Sequence, residues 1–234
     1  MDQEINATYP LKPSWSRLLD RVHTVGYTEQ IYTNSLATIV EKGFYPRLIS
    51  NSKENSSFSL DRQYLWITAK WGKGWAVVNE NMKQATLYFL GNDGEAFHQV
   101  ILTPISHWDC FKCILQTFTE EAQLEPSLPI LREKIINNTV NPRVEEVAKK
   151  MNREIIRGAK LKCILNTSGG VVKRCHEVGS LMTKFGTMTL RSSKGRLNLN
   201  SASICDIDIE EKSSKFKGTF YDAQGRAQFF IEAA

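Results

Sequence analysis

An internal repeat constrains this chain more than any single motif, because self-similarity at a fixed offset requires two copies of one structural unit. When the 234-residue sequence is laid on itself at an offset of 131–132, several kinds of feature come into register together. Asn34-Ser35 falls on Asn166-Thr167, each shortly after a helical pattern that ends in glycine, Gly26 and Gly158. Further on, Phe89-Leu90-Gly91-Asn92-Asp93-Gly94-Glu95-Ala96 falls on Phe220-Tyr221-Asp222-Ala223-Gln224-Gly225-Arg226-Ala227. Both runs read as strand, Asp/Gly turn and strand, the signature of a hairpin.

The rest of the pattern follows the same plan. Pro13-Ser14 opens a helix through about His23 with Trp15, Leu18, Leu19 and Val22 on one face. Its second copy runs from Arg143 to Arg157, with Val144, Val147, Ala148, Met151 and Ile155 as the apolar stripe. Residues 27–48, 62–71, 74–80 and 84–103 are rich in β-branched and aromatic residues and read as strands. Their counterparts are 160–166, 170–178, 185–191, 196–200, 203–210 and a closing hairpin over 215–232. A further helix runs from Ser106 to Phe118, with Ser106 as its N-cap and Asp109 favouring the helix dipole. The expected fold is α+β: two tandem repeats, each an antiparallel β-sheet with flanking helices. The expected boundaries are 1–118 for the first repeat, 119–142 for a proline-containing connector and 143–234 for the second repeat.

Composition narrows the setting. With 41% hydrophobic and 24% charged residues the chain is expected to bury a core, and no run approaches the ~18 apolar residues of a membrane span. The start, Met1-Asp2-Gln3-Glu4, lacks the basic-then-apolar order of a secretory signal, which places the chain in the cytoplasm with no membrane partner. Five cysteines, an odd number in a chain of this size, argue against a disulfide framework. Charge is uneven: residues 1–142 carry 13 basic and 15 acidic residues, whereas 143–234 carry 17 and 10. An anion is therefore expected to meet the second half.

The residues that carry the repeat also resemble a known family. Asn34-Ser35-Leu36-Ala37 to Gly43-Phe44-Tyr45, Trp71 followed by Trp75-Ala76-Val77, and Leu87-Tyr88-Phe89 to Gly94-Glu95-Ala96-Phe97-His98-Gln99-Val100 are similar to the first repeat of the HemS/ChuS/ChuX-like haemin-utilisation (haemin-degrading factor) proteins. Phe220-Tyr221-Asp222-Ala223-Gln224-Gly225 to Ala227-Gln228-Phe229-Phe230 is similar to the family's closing motif. The likeness implies a HemS/ChuX-like tandem fold, haem as cofactor and a role as haem carrier or haem-degrading factor. It also departs from the family. Ile39 stands where the first repeat has a histidine, Leu65 where it has an arginine, and Asn200 where the second repeat has a histidine. No histidine occurs between His107 and His176, the stretch in which the family's axial ligand sits.

Given the likeness, the candidate iron ligands are the remaining histidines, since imidazole is the commonest protein donor to haem iron. His176 leads, flanked by Lys173 and Arg174 on a second-half strand; His98 is second, and read plainly it is a strand histidine satisfied by a neighbour. His23 and His107 read as surface residues, and Tyr64 is a candidate phenolate. Arg62, Arg174, Arg196 and Lys173 are candidates for pairing with haem propionates in a pocket between the repeats, or else form a solvated basic face. Trp66, Trp71, Trp75 and Tyr64 would wall a macrocycle or else pack as core.

Other chemistry finds little support. Cys110-x-x-Cys113 lies inside a helical pattern and reads as two core-facing cysteines rather than a redox pair. There is no Gly-rich phosphate loop, H-E-x-x-H or G-x-S-x-G motif. The leading reading is a cytoplasmic haem-binding protein of haem-iron utilisation; the alternative is an interaction or regulatory module of the same fold that has lost haem. Nucleic acid is disfavoured, because the basic half has no binding motif. A homo-oligomer or an electron-donor protein completes the expected partners.

Overall fold

The computed structural model describes residues 7–51, 56–59, 63–121, 142–184, 186–212 and 215–233. In chain order the first half contains β1 (Ala7–Pro10), α1 (Trp15–Val22), β2 (Tyr27–Thr33), β3 (Ala37–Phe44), β4 (Leu48–Asn51), β5 (Ser56–Ser59), β6 (Tyr64–Ile67), β7 (Trp71–Asn79), β8 (Gln84–Gly91), β9 (Ala96–Leu102) and α2 (Trp108–Phe118). The second contains α3 (Pro142–Ile156), β10 (Leu161–Thr167), β11 (Gly170–His176), β12 (Val178–Lys184), β13 (Thr187–Ser192), β14 (Gly195–Asn200), β15 (Asp206–Lys212), β16 (Lys215–Tyr221) and β17 (Ala227–Ala233). Antiparallel sheet dominates and helices are few. No helix among the described residues is long and apolar enough to cross a membrane. Of the expected connector, 122–141 lies outside the described residues.

The chain divides into two compact units, neither of them one stretch of sequence. Unit 1 comprises Met1–Ile31, Glu41–Leu131 and Ser168–Gly170; unit 2 comprises Tyr32–Val40, Arg132–Thr167 and Val171–Ala234. In unit 1 the strands run in the order β1-β7-β8-β9-β2-β3 in one sheet and β6-β5-β4 in another. Helix α1 forms because Trp15, Leu18, Leu19 and Val22 recur at helical spacing, and all four are buried. That face packs near β4 and α2. Gly26 ends the segment at φ +83, a conformation open to glycine, and its N–H reaches the His23 carbonyl at 3.2 Å.

In unit 2 the strands run β15-β16-β17-β10-β11 in one sheet, while β14-β13-β12 lie beside the first half of β3. Helix α3 buries Val144, Val147, Ala148 and Met151. Its polar side is tied down by Lys150, which pairs with Glu146 at 3.1 Å and Glu211 at 2.9 Å. The turn after β2 is built on Asn34, whose Oδ1 accepts from the N–H groups of Leu36 (2.9 Å) and Ala37 (2.8 Å). Its Nδ2 donates to the carbonyls of Asn166 at 2.7 Å and Gln228 at 2.9 Å.

The repeat is visible in the register itself. In β8–β9, Phe89 faces His98 and, after a bulge, Leu90 faces Ala96. In β16–β17, Phe220 faces Phe229 and, after a bulge, Tyr221 faces Ala227, every position displaced by the same 131 residues. The turn hydrogen bonds match too: Gly91 N–H to Glu95 O, and Asp222 N–H to Arg226 O.

Several sequence expectations are corrected. Ser106 does not cap α2: the helix starts at Trp108 after His107, and the Ser106 hydroxyl donates to the Tyr27 carbonyl at 2.5 Å. Cys113 is exposed and Cys110 half-buried, because the inward stripe of α2 is Phe111, Ile114 and Phe118. Strand β12 occupies residues read as a gap between strands.

Candidate functional site

A group of polar and aromatic side chains in unit 1 surrounds His98. Strand β9 is buried on both faces over residues 97–100, and His98 within it is 0% exposed. Its ring is stacked between Trp66 (centroids 5.1 Å apart, planes at 25°) and Phe89 (5.3 Å, 13°). The Ile31 carbonyl, 3.0 Å from Nδ1, can only accept, so Nδ1 carries the proton. Nε2 is then the acceptor for the Tyr45 hydroxyl, 3.1 Å away. Both ring nitrogens are therefore engaged, including the lone pair that a metal would need.

Tyr64 belongs to the same cluster. It is 7% exposed, its ring lies 6.3 Å from that of Trp66, and its hydroxyl donates to Gln30 Oε1 at 3.2 Å. Trp71 closes the group, 5.9 Å from Trp66 and 4.9 Å from Phe97, with its Nε1 donating to the Gly169 carbonyl at 3.0 Å. Gly169 is needed here because a Cβ would lie 2.1 Å from the Phe97 ring. Trp66 and Trp71 are core; Trp75 is half-buried.

In unit 2, Arg174 lies on β11 and is 4% exposed. Its guanidinium carbon stands 5.2 Å from the centre of the Tyr32 ring, and its Nη1 donates to the Lys173 carbonyl at 2.7 Å. Such a cation over an aromatic face is favoured further by burial. Lys173, its neighbour in sequence, is exposed. Arg196 on β14 is also exposed and sits opposite Arg191 in the β13–β14 register. Arg62 and the side chain of His176 lie outside the described residues. His23 is half-buried, its Nδ1 against the Asp20 carbonyl, and His107 is exposed.

The structure thus brings His98 and Tyr64 together around Trp66, and sets Arg174 beside Lys173. Sequence reasoning passed over Tyr45, Gln30 and Tyr32, the partners that decide these environments. The repeat offered one signal, because it aligns His98 with Phe229, and a polar residue at a core position needs partners elsewhere. Among the described residues, no three His, Cys, Asp or Glu side chains converge as a metal site. His98 thus has both ring nitrogens bonded to protein, and Tyr64 is buried with its hydroxyl proton given to Gln30. Arg174, Lys173 and Arg196 have the chemistry to pair with carboxylates.

No family model matches the chain, and no curated protein matches its sequence. Solved structures do match. Apo-PhuS, a heme-binding protein from Pseudomonas aeruginosa, matches with a TM-score of 0.78 and 14% identity over 97% of this chain and 82% of that one. Holo-PhuS matches with the same score and coverage at 13% identity. ChuS, an Escherichia coli heme oxygenase, matches with a TM-score of 0.73 and 11% identity, over 97% of this chain and 83% of that one. The fold is therefore that of PhuS and ChuS, mostly antiparallel sheet and built as a repeat.

Proposed function

We propose that this chain is a haem-binding protein of haem-iron utilisation, serving as a haem carrier or haem-degrading factor in the cytoplasm. The observation that supports this reading is the extent of the likeness: 97% of the chain follows the fold of PhuS and ChuS. A fold hosts many functions, so the residues must add their own support. Lys173 and Arg196, both exposed, supply cationic groups suited to propionates, with Arg62 and the buried Arg174 proposed beside them. His176, two residues after Arg174, is the proposed iron ligand. His98 and Tyr64 are assigned to the core. Bound haem would supply the redox chemistry; the protein's part is to hold and orient it and to limit access of water. Degradation would in addition require an electron-donor protein.

The test is haemin titration of the purified full chain followed through the Soret band. Saturable binding is expected, weaker than in histidine-ligated relatives, and His176→Ala should change both the spectrum and the affinity. If the wild type gives no saturable Soret shift, the reading fails and a haem-free interaction module of the same fold takes its place.

A further inference from the structure

Helix α1 and the terminal strand β4 border an open groove of about 540 Å3 within unit 1. Arg17 and Asp20 line it from the helix; Arg47, Ile49 and Ser50 line it from the strand side. Three observations converge there. First, β4 pairs with β5 on one side only, and no described strand occupies its other edge. Second, the sequence of that strand carries none of the residues that usually blunt an edge. Strand β1, also terminal, carries Pro10, and β15 carries Asp206, Asp208, Glu210 and Glu211, whereas β4 is Leu48-Ile49-Ser50-Asn51, with neither proline nor charge. Leu48 points inward at 2% exposure, leaving Ile49 outside at 39%. Third, Arg17 and Arg47 are both exposed, and neither forms an ion pair with a described residue; Asp20 is the one acidic residue in the lining.

We propose that this groove takes an extended, acidic peptide segment of another protein, added as a strand to β4. Backbone pairing with the β4 edge would supply sequence-independent affinity, and an apolar side chain on the peptide would cover Ile49. The two arginines would select carboxylates on the peptide, favouring bidentate pairing and rapid encounter. A four-residue strand offers a small contact, so the complex belongs to the weak, transient class. The proposal does not depend on haem.

The experiment is fluorescence anisotropy with the full chain and a labelled peptide of alternating valine and glutamate, at low salt. Saturable binding is expected. The doubly substituted Arg17→Glu/Arg47→Glu chain, with both changes on exposed side chains, should bind about tenfold more weakly, and a valine–lysine peptide should be disfavoured at least as much. Methylating alternate backbone nitrogens of the acidic peptide should abolish binding. The proposal is overturned if the acidic peptide does not bind saturably, if the lysine peptide binds equally well, or if the double substitution leaves affinity unchanged. Undiminished binding of the methylated peptide would overturn strand addition as its basis.

Discussion

The hairpins β8–β9 and β16–β17 have the same register and the same bulge, yet they solve the problem of a buried pair differently. In the second, Phe220 meets Phe229 with ring centres 5.3 Å apart and planes at 50°. In the first, Phe89 meets His98 at the same 5.3 Å but nearly parallel, at 13°. An apolar pair asks only for space. The imidazole needs a donor on one side and an acceptor on the other, which Tyr45 and Ile31 supply. The difference teaches that one backbone plan accepts either solution, and that a polar one fixes the position of more distant chain. Pinning of the turns differs as well. Asp222 Oδ1 accepts from the N–H groups of Gln224 and Arg226, and Oδ2 from the Arg226 and Gln228 side chains. The equivalent position in the first hairpin is Gly91, where a Cβ would fall 2.5 Å from the Ser168 hydroxyl.

The largest effect is expected where the repeats disagree about a single methyl group. Ala37 and Gly169 are equivalent at an offset of 132, but only Gly169 lies against Phe97, at 2.1 Å for an added Cβ. Gly169→Ala should lower stability by about 3 kcal/mol, since the Phe97 ring is buried and must move with its backbone. Ala37→Gly should cost about 1 kcal/mol or less. Urea denaturation of the two variants measures both, and equal losses would break the contrast.

Copying the second solution into the first comes next. His98→Phe should cost about 2 kcal/mol, because it removes the hydrogen bonds that the ring makes with the Tyr45 hydroxyl and the Ile31 carbonyl. Adding Tyr45→Phe should return part of that loss. If His98→Phe is neutral in thermal unfolding, the hydrogen bonds to His98 do not determine its place.

The smallest effect concerns Asp222. Burial pushes its carboxyl upward, but hydrogen bonds from Arg226, Gln228 and Gln224 together outweigh it and hold the carboxyl below its ordinary range. A depressed carboxyl stabilises the folded chain above its unfolded value, near 3.9, and that stabilisation disappears as pH falls through the folded value. Asp222→Asn should therefore cost about 1 kcal/mol at neutral pH and flatten the acid limb of the stability curve. Glu211, also held low by Lys150, keeps part of that slope. An unchanged acid limb would remove Asp222 from the account.

Much of the plan was legible because its signals are local. The apolar stripe of α1, the inward stripe of α3 and the Asp/Gly turns depend on spacing within a few residues. Strand β12 was missed because Val178-Gly179-Ser180-Leu181-Met182-Thr183-Lys184 is mostly exposed and lacks an inward–outward alternation; pairing with β13 makes it a strand. Cys110 and Cys113 were misread by one position on the helix, since helical spacing alone does not say which stripe meets the core. The candidate ligands were the least legible. His98 takes its partners from 53 and 67 residues away, and no local pattern announces them.

By itself, the sequence determined the repeat, its hairpins and the glycines at positive φ that end its segments, Gly26, Gly94, Gly158 and Gly225. These follow from backbone sterics and from periodicity, both of which act between near neighbours. Tertiary structure alone decided that His98 and Tyr64 are core, that Arg174 is buried over Tyr32 and that Lys173 and Arg196 remain in solvent. The physical reason is that burial and hydrogen-bond satisfaction belong to pairs of residues brought together by the sheets, so the same side chain becomes a filler or a surface charge according to partners that its own neighbourhood does not contain.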